Sequence, residues 1–357
     1  MALFVAYLVF GLLMLTSATG PVAYQKFNDS YWYLKHQVLF GLLPGAVLFF
    51  IFYVIDYRYW RRFGTPALVA SLVLLLTVFI PGLGANWGSS KSWLHIGSYS
   101  LQPIEIAKLL LLVFMAAHFE KWRHESPDKG VAGGVWPFLA AIGAAAILLM
   151  LQPDLGGMLM ILAMAFIAYF AAGAPWQHLA GLGAAGLVGG FALMKAAPYR
   201  AARFMTFLHP EMDPRGIGYH INQAYLAIGS GGLFGLGLGH SRQKYLYLPE
   251  VSGDSVFAVI AEELGFVVTL AFLMLIAAFL MRGLRIAQRA PDDFGRVLAA
   301  GIVGWIFVQV MFNVCSMVGL MPITGLPLPF VSYGGTAYMA LMAGVGLLAN
   351  ISKHSAA

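Results

Sequence analysis

Apolar runs of about 20 residues recur along the whole chain, and that recurrence decides most of what it can become. A hydrocarbon layer about 30 Å thick needs about 20 apolar residues to be crossed as a helix. On that ruler ten candidate spans can be marked, near 2–19, 36–55, 66–83, 104–118, 134–151, 156–173, 178–197, 255–281, 297–320 and 330–352. The chain therefore reads as an all-α integral membrane protein, a single polytopic domain over 1–357. With 60% hydrophobic and 10% charged residues, no soluble globular class fits. The first run has no basic stretch before it and is soon followed by a second, which favours a retained helix over a cleaved signal peptide. The lone cysteine, Cys315, excludes an internal disulfide.

Orientation follows from Lys and Arg in short connections. Arg58, Arg61 and Arg62 follow span two, and Arg282, Arg285, Arg289 and Arg296 follow span eight. Both connections are expected on the cytoplasmic side, and an even number of spans then puts both termini there. The long segment at about 198–254, between helices seven and eight, falls on the extracytoplasmic side. The net charge of +6 sits in loops and suits anionic lipid head groups or phosphates. No basic stripe interleaves with aromatic residues on a soluble face, so nucleic acid is not an expected partner.

Polar residues inside the apolar runs are few, and each needs a reason. Glu105 and Lys108 are three apart on one helix face, where pairing lowers the cost of burying either charge. Lys108 could instead help neutralise a phosphate. Gln152-Pro153-Asp154 ends span five, and Asp154 is either the N-cap of span six or part of the same buried cluster. From Tyr219 to Gly265 a glycine-rich loop leads through Arg242, Lys244, Pro249-Glu250 and Asp254 to Glu262-Glu263. Adjacent helical residues point about 100° apart, so this last pair is not expected to serve one site, and one member supports packing. The glycines lack the spacing of a nucleotide-binding loop. Gln309 and Asn313 share a face and can hydrogen-bond across helices. The stretch from Met321 to Thr336, broken by Pro322, Pro327 and Pro329, implies irregular backbone near the outer surface, which is tolerated only inside protein or beside a wet cavity.

Taken together these strings resemble the SEDS family, typified by RodA and FtsW. The pieces are Gln102-Pro103 with Glu105 and Lys108, Gln152-Pro153-Asp154-Leu155-Gly156, Ala227-Ile228-Gly229-Ser230-Gly231-Gly232, Leu248-Pro249-Glu250 with Asp254, and Glu262-Glu263-Leu264-Gly265. Pro322, Thr324-Gly325-Leu326-Pro327-Leu328-Pro329-Phe330 and Ser332-Tyr333-Gly334-Gly335 complete the set. All lie in the family's order across nearly the whole chain. The sequence departs where the family usually has arginine (here Ser92), serine (Ile104), and threonine and phenylalanine around the aspartate (Gly253 and Ser255). The very short tails look more like RodA than FtsW.

The resemblance implies ten transmembrane helices in the bacterial cytoplasmic membrane. It also implies polymerisation of lipid II, a disaccharide-pentapeptide on undecaprenyl pyrophosphate, into peptidoglycan strands during elongation and rod-shape maintenance. A class B penicillin-binding protein, which cross-links the peptides, is the implied partner. Such glycosyl transfer needs a base at the attacking sugar hydroxyl and positive charge at the departing pyrophosphate. Asp254, expected to be exposed at a helix start, is the candidate base, and the helix N-terminus would favour its ionised form. Lys108, Arg200, Arg203, Arg242 or a divalent cation (Mg or Mn) could meet the leaving-group charge. Asp154, Glu105, Lys244, Glu262 and Ser332 are candidate substrate-binding or supporting residues. The alternatives are a lipid II flippase, since broken helices with internal charges also suit a transport path, and a non-catalytic scaffold for a transpeptidase.

Overall fold

The computed structural model describes residues 1–87, 90–96, 99–125, 133–196, 198–214 and 216–355. The side chains of 85–87, 90, 91, 95, 96, 99, 193, 194, 196, 198–201 and 203 lie outside that description. Helices follow one another in the order α1 (Ala2–Phe27), α2 (Trp32–Gln37), α3 (Leu43–Val54), α4 (Gly64–Leu76), α5 (Pro103–Glu125), α6 (Val135–Leu151), α7 (Leu155–Ala171) and α8 (Trp176–Ala196). Then come α9 (Pro198–Leu208), α10 (Ile217–Gly231), α11 (Val256–Gln288), α12 (Asp293–Met317) and α13 (Gly335–His354). Among the described residues six helical stretches are long and apolar enough to cross a membrane, and α6 and α7 are shorter apolar helices. The protein is thus a nearly all-helical membrane protein, and these helices fall on apolar runs marked in the sequence.

Two connections hold secondary structure of their own. The connection at 84–103, between spans three and four, carries an antiparallel sheet of β1 (Gly84–Trp87), β2 (Ser90–Ile96) and β3 (Tyr99–Leu101) in the order β1-β2-β3. Strands this short pair within one local meander and leave no hydropathy signal. The segment at 198–254, expected as a long loop, holds α9 and α10 before it becomes irregular.

The chain divides into two compact units. The first comprises Met1–Val38, Ala180–Phe279 and Gln309–Gly334. Its core is aromatic: Tyr7 on α1 lies edge-on to Phe272 at 5.7 Å and Phe330 at 5.5 Å, and its hydroxyl donates to the Pro329 carbonyl at 2.6 Å. Gly11 on the same helix leaves room for the Phe330 backbone, which a Cβ would overlap. α1 ends where Asn28 turns left-handed, φ 55°, and donates its N–H to the Tyr24 carbonyl.

The second unit comprises Leu39–Leu179, Leu280–Val308 and Gly335–Ala357. α13 is buried along most of its length and packs on α3 through small residues: a Cβ at Gly45 would press on Met342, and one at Gly346 on the Phe49 backbone. The connections between its helices are tied by polar contacts. Asn350 donates to the Tyr53 and Ile55 carbonyls and accepts from Tyr57 N–H at 3.0 Å. Asp292 accepts from the Tyr57 hydroxyl at 2.6 Å and from Arg58 at 3.1 Å, and Arg61 pairs with Glu120 at 2.9 Å.

Candidate functional site

The candidate residues separate into two groups, one in each unit. In the second unit Glu105 and Lys108, one turn apart on α5, form an ion pair at 2.8 Å with side chains 2% and 1% exposed. The Lys108 ammonium also lies 4.9 Å from the centre of the Trp305 ring, a cation–π contact. Asp154 precedes α7 and accepts the Gly157 N–H at 2.7 Å, so it is the N-cap. It also stands within electrostatic range of Glu105 and Lys108. Of the two roles posed in the sequence, capping is the one a hydrogen bond shows. Ile104 and Ser92, where the family pattern is broken, are both buried at 3% exposure.

In the first unit the glycine-rich strip explains itself through a break in α11. Gly265 takes φ 71°, ψ −179°, which ends a short half-helix begun at Val256 before the main span continues. Such a break strands carbonyls and amides at membrane depth, where water cannot satisfy them. The strip supplies the partners. Leu236 and Gly237 donate N–H to the Glu262 and Glu263 carbonyls at 3.0 and 2.9 Å, and Phe266 and Val267 donate to the Gly232 and Leu233 carbonyls at 2.9 and 3.1 Å. Backbone must touch backbone for this, which requires glycine: a Cβ at Gly231, Gly235 or Gly265 would overlap main-chain atoms opposite.

The two glutamates at the end of the half-helix then clamp the loop that follows. Glu262 accepts from the Ser241 hydroxyl and from the Arg242 N–H at 2.9 Å. Glu263 pairs with Lys244 at 2.7 Å, side chains 0% and 3% exposed, and accepts from Ser17 on α1 at 2.6 Å. The expectation that these neighbours cannot serve one site is corrected: residues 241–244 curl around the helix end and meet both carboxylates. Lys244 and Glu262 are thus engaged with protein groups as supports. Arg242 uses its backbone in the clamp and leaves its side chain exposed. The side chains of Arg200 and Arg203 lie outside the described residues.

Asp254 stands at the head of the same half-helix, but Ser255 is the residue directly before its first helical position. The loop behind it is closed by Gly253 N–H to the Glu250 carbonyl at 2.9 Å. Asn313 on α12 donates to the carbonyls of Asp254 and Leu326 at 2.7 and 2.9 Å. Tyr333 N–H donates to the Ser252 carbonyl at 2.8 Å, and the Ser332 hydroxyl accepts the Leu328 N–H at 2.8 Å, closing the proline-rich turn. Ser332 is therefore a turn clamp in this arrangement. Asp254 was expected to be exposed; only 8% of its surface is. The proline-rich turn and the 241–255 loop pack around its backbone, and that packing shields it.

Three comparisons with known proteins bear on this arrangement. The family model described as "Cell cycle protein", covering FtsW, RodA and SpoVE, matches residues 1–357. The chain belongs to this family, the SEDS proteins. Stage V sporulation protein E of Bacillus subtilis is 41% identical over 349 residues, 98% of this chain and 94% of the relative. A probable peptidoglycan glycosyltransferase FtsW of Trichlorobacter lovleyi is 38% identical over 348 residues, 98% of this chain and 91% of the relative. Among solved structures, a chain of a peptidoglycan synthase complex, described as coordinating polymerization and crosslinking, matches with TM-score 0.76 and 30% identity over 97% of both chains. The rod shape determining protein RodA of Thermus thermophilus matches with TM-score 0.67 and 31% identity, covering 98% of this chain and 97% of that one. A variant of the same RodA with one aspartate changed to alanine matches with TM-score 0.66.

Set within the SEDS family, the departures beside Asp254 take on meaning. Ser255 is fully buried and its hydroxyl lies 2.6 Å from Nε2 of His220 on α10. Burial lowers the pKa of that imidazole to about 4. The contact between His220 and Ser255 was not legible in the sequence, because nothing in the spacing joins position 220 to 255. Asn313 was legible only as a polar residue seeking a partner across helices; its partners are irregular backbone carbonyls. Among the described residues no three His, Cys, Asp or Glu side chains converge as a metal site. This SEDS chain's described residues thus offer no ready cage for the divalent cation that the chemistry admits.

Proposed function

We propose that this chain polymerises lipid II into glycan strands with Asp254 as the general base. The chain is a peptidoglycan glycosyltransferase of the SEDS family. The observation that carries the finer assignment is the support around Asp254: a half-helix braced by the glycine strip, its first turn held by Asn313 and by the Ser252–Tyr333 contact. A base must be held against the hydroxyl it deprotonates, and shielding from water sharpens its effect.

In the step envisaged, the acceptor sugar 4-hydroxyl gives its proton to Asp254 as its oxygen bonds to the donor's anomeric carbon. The bond from that carbon to the pyrophosphate breaks, and undecaprenyl pyrophosphate leaves with the electron pair. Positive charge near the leaving group would favour the step. Exposed Arg242 is the described candidate. A class B penicillin-binding protein is the partner expected to cross-link the product, by analogy with the synthase complex that the chain resembles. Elongation and rod-shape maintenance is the process proposed, supported by the RodA likeness; depletion should round rod-shaped cells, and filamentation would assign division instead.

The test is a polymerisation assay on purified protein with lipid II, with and without chelator. Asp254→Ala should abolish strands while leaving the melting temperature in place. Strands that persist in Asp254→Ala would reject the base. Translocation of lipid II in proteoliposomes without polymerisation would favour the flippase reading, to which the broken α11 also lends itself.

A further inference from the structure

His220 is a half-buried, chemically versatile side chain that the step at Asp254 does not use. It lies on α10, and its Nε2 is 2.6 Å from Ser255 Oγ. Ser255 directly follows Asp254 and is completely buried. Its hydroxyl is 2.7 Å from the Pro249 carbonyl oxygen and 3.4 Å from Asp254 Oδ1.

A hydroxyl has one proton to give and two lone pairs, and a neutral imidazole has one N–H and one lone pair. If the ring took the serine proton at Nε2, the Pro249 carbonyl and Asp254 Oδ1 would both face hydroxyl lone pairs in a buried pocket. That arrangement sets acceptors against hydroxyl lone pairs, which repels. If the ring instead donates from Nε2, the serine proton is free for Pro249 or for Asp254. The second tautomer leaves the serine proton for one of these two acceptors at a time, and burial, which keeps the ring neutral down to about pH 4, leaves it without a charge that would compete for the carboxylate.

We propose that His220 is a positioning residue: through Ser255 it fixes the aim of the Asp254 carboxylate at the acceptor hydroxyl. The serine proton turns toward Asp254 while the carboxylate is ionised, and back to the Pro249 carbonyl once the sugar proton arrives. His220 and Ser255 exchange no proton in this cycle and form no bond to substrate. The proposal rests on Asp254 as the base.

The experiment measures kcat and KM for lipid II polymerisation by full-length protein in His220→Ala, His220→Gln, Ser255→Ala and Asp254→Asn, with His220→Ala also placed in the Asp254→Asn background. His220→Ala should lower kcat about tenfold to a hundredfold with KM unchanged, as expected for a misaimed group. His220→Gln, whose amide can donate to the serine, should hold kcat within about threefold of wild type. In the Asp254→Asn background, His220→Ala should change the residual rate by less than about twofold, since nothing remains to aim. Wild-type kcat in His220→Ala would overturn the proposal, as would equal losses in His220→Ala and His220→Gln or losses that multiply in the double variant. Wild-type turnover in Asp254→Asn would overturn the base itself, a separate failure. Melting temperatures of each variant tell a folding loss from a positioning loss.

Discussion

Replacing Gly265 by alanine puts the broken helix under direct test. At φ 71°, ψ −179° the residue occupies a region open essentially to glycine alone, and holding a side chain there costs about 1–3 kcal/mol. The added Cβ would also lie against the Gly235 amide nitrogen and 2.7 Å from the Leu233 carbonyl oxygen. Main chain cannot swing aside as a side-chain tip can, so overpacking adds about 1–3 kcal/mol. Together the loss is about 2–6 kcal/mol, a large share of the about 5–15 kcal/mol that separates folded from unfolded domains. The chain can relieve the strain only by parting the strip from the half-helix, which gives up the Leu236, Gly237, Phe266 and Val267 backbone bonds and shifts the element that carries Asp254. The readouts are the melting temperature in detergent and strand length on a gel after incubation with lipid II. Gly265→Ala should lower both, whereas Gly229→Ala, where a Cβ meets open space, should change neither. A Gly265→Ala protein that melts and polymerises like wild type would refute the account of the break.

Two further outcomes follow from charges held inside each unit. Lys244→Met alone should cost about 3–5 kcal/mol, because it strands the buried Glu263 carboxylate, and Lys244→Met with Glu263→Leu should recover most of the melting temperature; a double variant no better than the single would refute the pairing. Asp292, between α11 and α12, sits partly buried, which pushes its carboxyl up, but the Tyr57 hydroxyl, the Gly295 N–H and Arg58 outweigh this and hold it below the usual 3.8. A depressed folded-state pKa stabilises the fold above the unfolded value near 3.8 and is lost as pH falls through the lower folded value. Melting temperature should therefore drop as pH falls from about 5 to below 3.8, and Asp292→Asn should flatten that drop; identical profiles would remove Asp292 from the acid response.

Much of this was legible before any coordinates, and the boundary is physical. Spans such as 134–151 and 156–173 show in hydropathy because lipid admits only long apolar helix, and α6 and α7 stand where those runs stand. The Glu105–Lys108 pair followed from spacing alone, since three residues is one helical turn. The sheet at 84–101 did not, because strands of so few residues depend on pairing rather than on pattern. Nor did the shielding of Asp254, which comes from loops packing around it.

By itself the amino-acid order determined that this chain crosses a membrane many times, that its charges are scarce, and that an aspartate at 254 stands among glycine and proline breaks. All of these depend on properties summed along the chain. Tertiary structure alone decided that Glu262 and Glu263 grip one loop, that Gly265 lets the strip into the helix, and that His220 meets Ser255. Those contacts join residues far apart in sequence, and only the closing of the chain on itself brings a donor within reach of its acceptor.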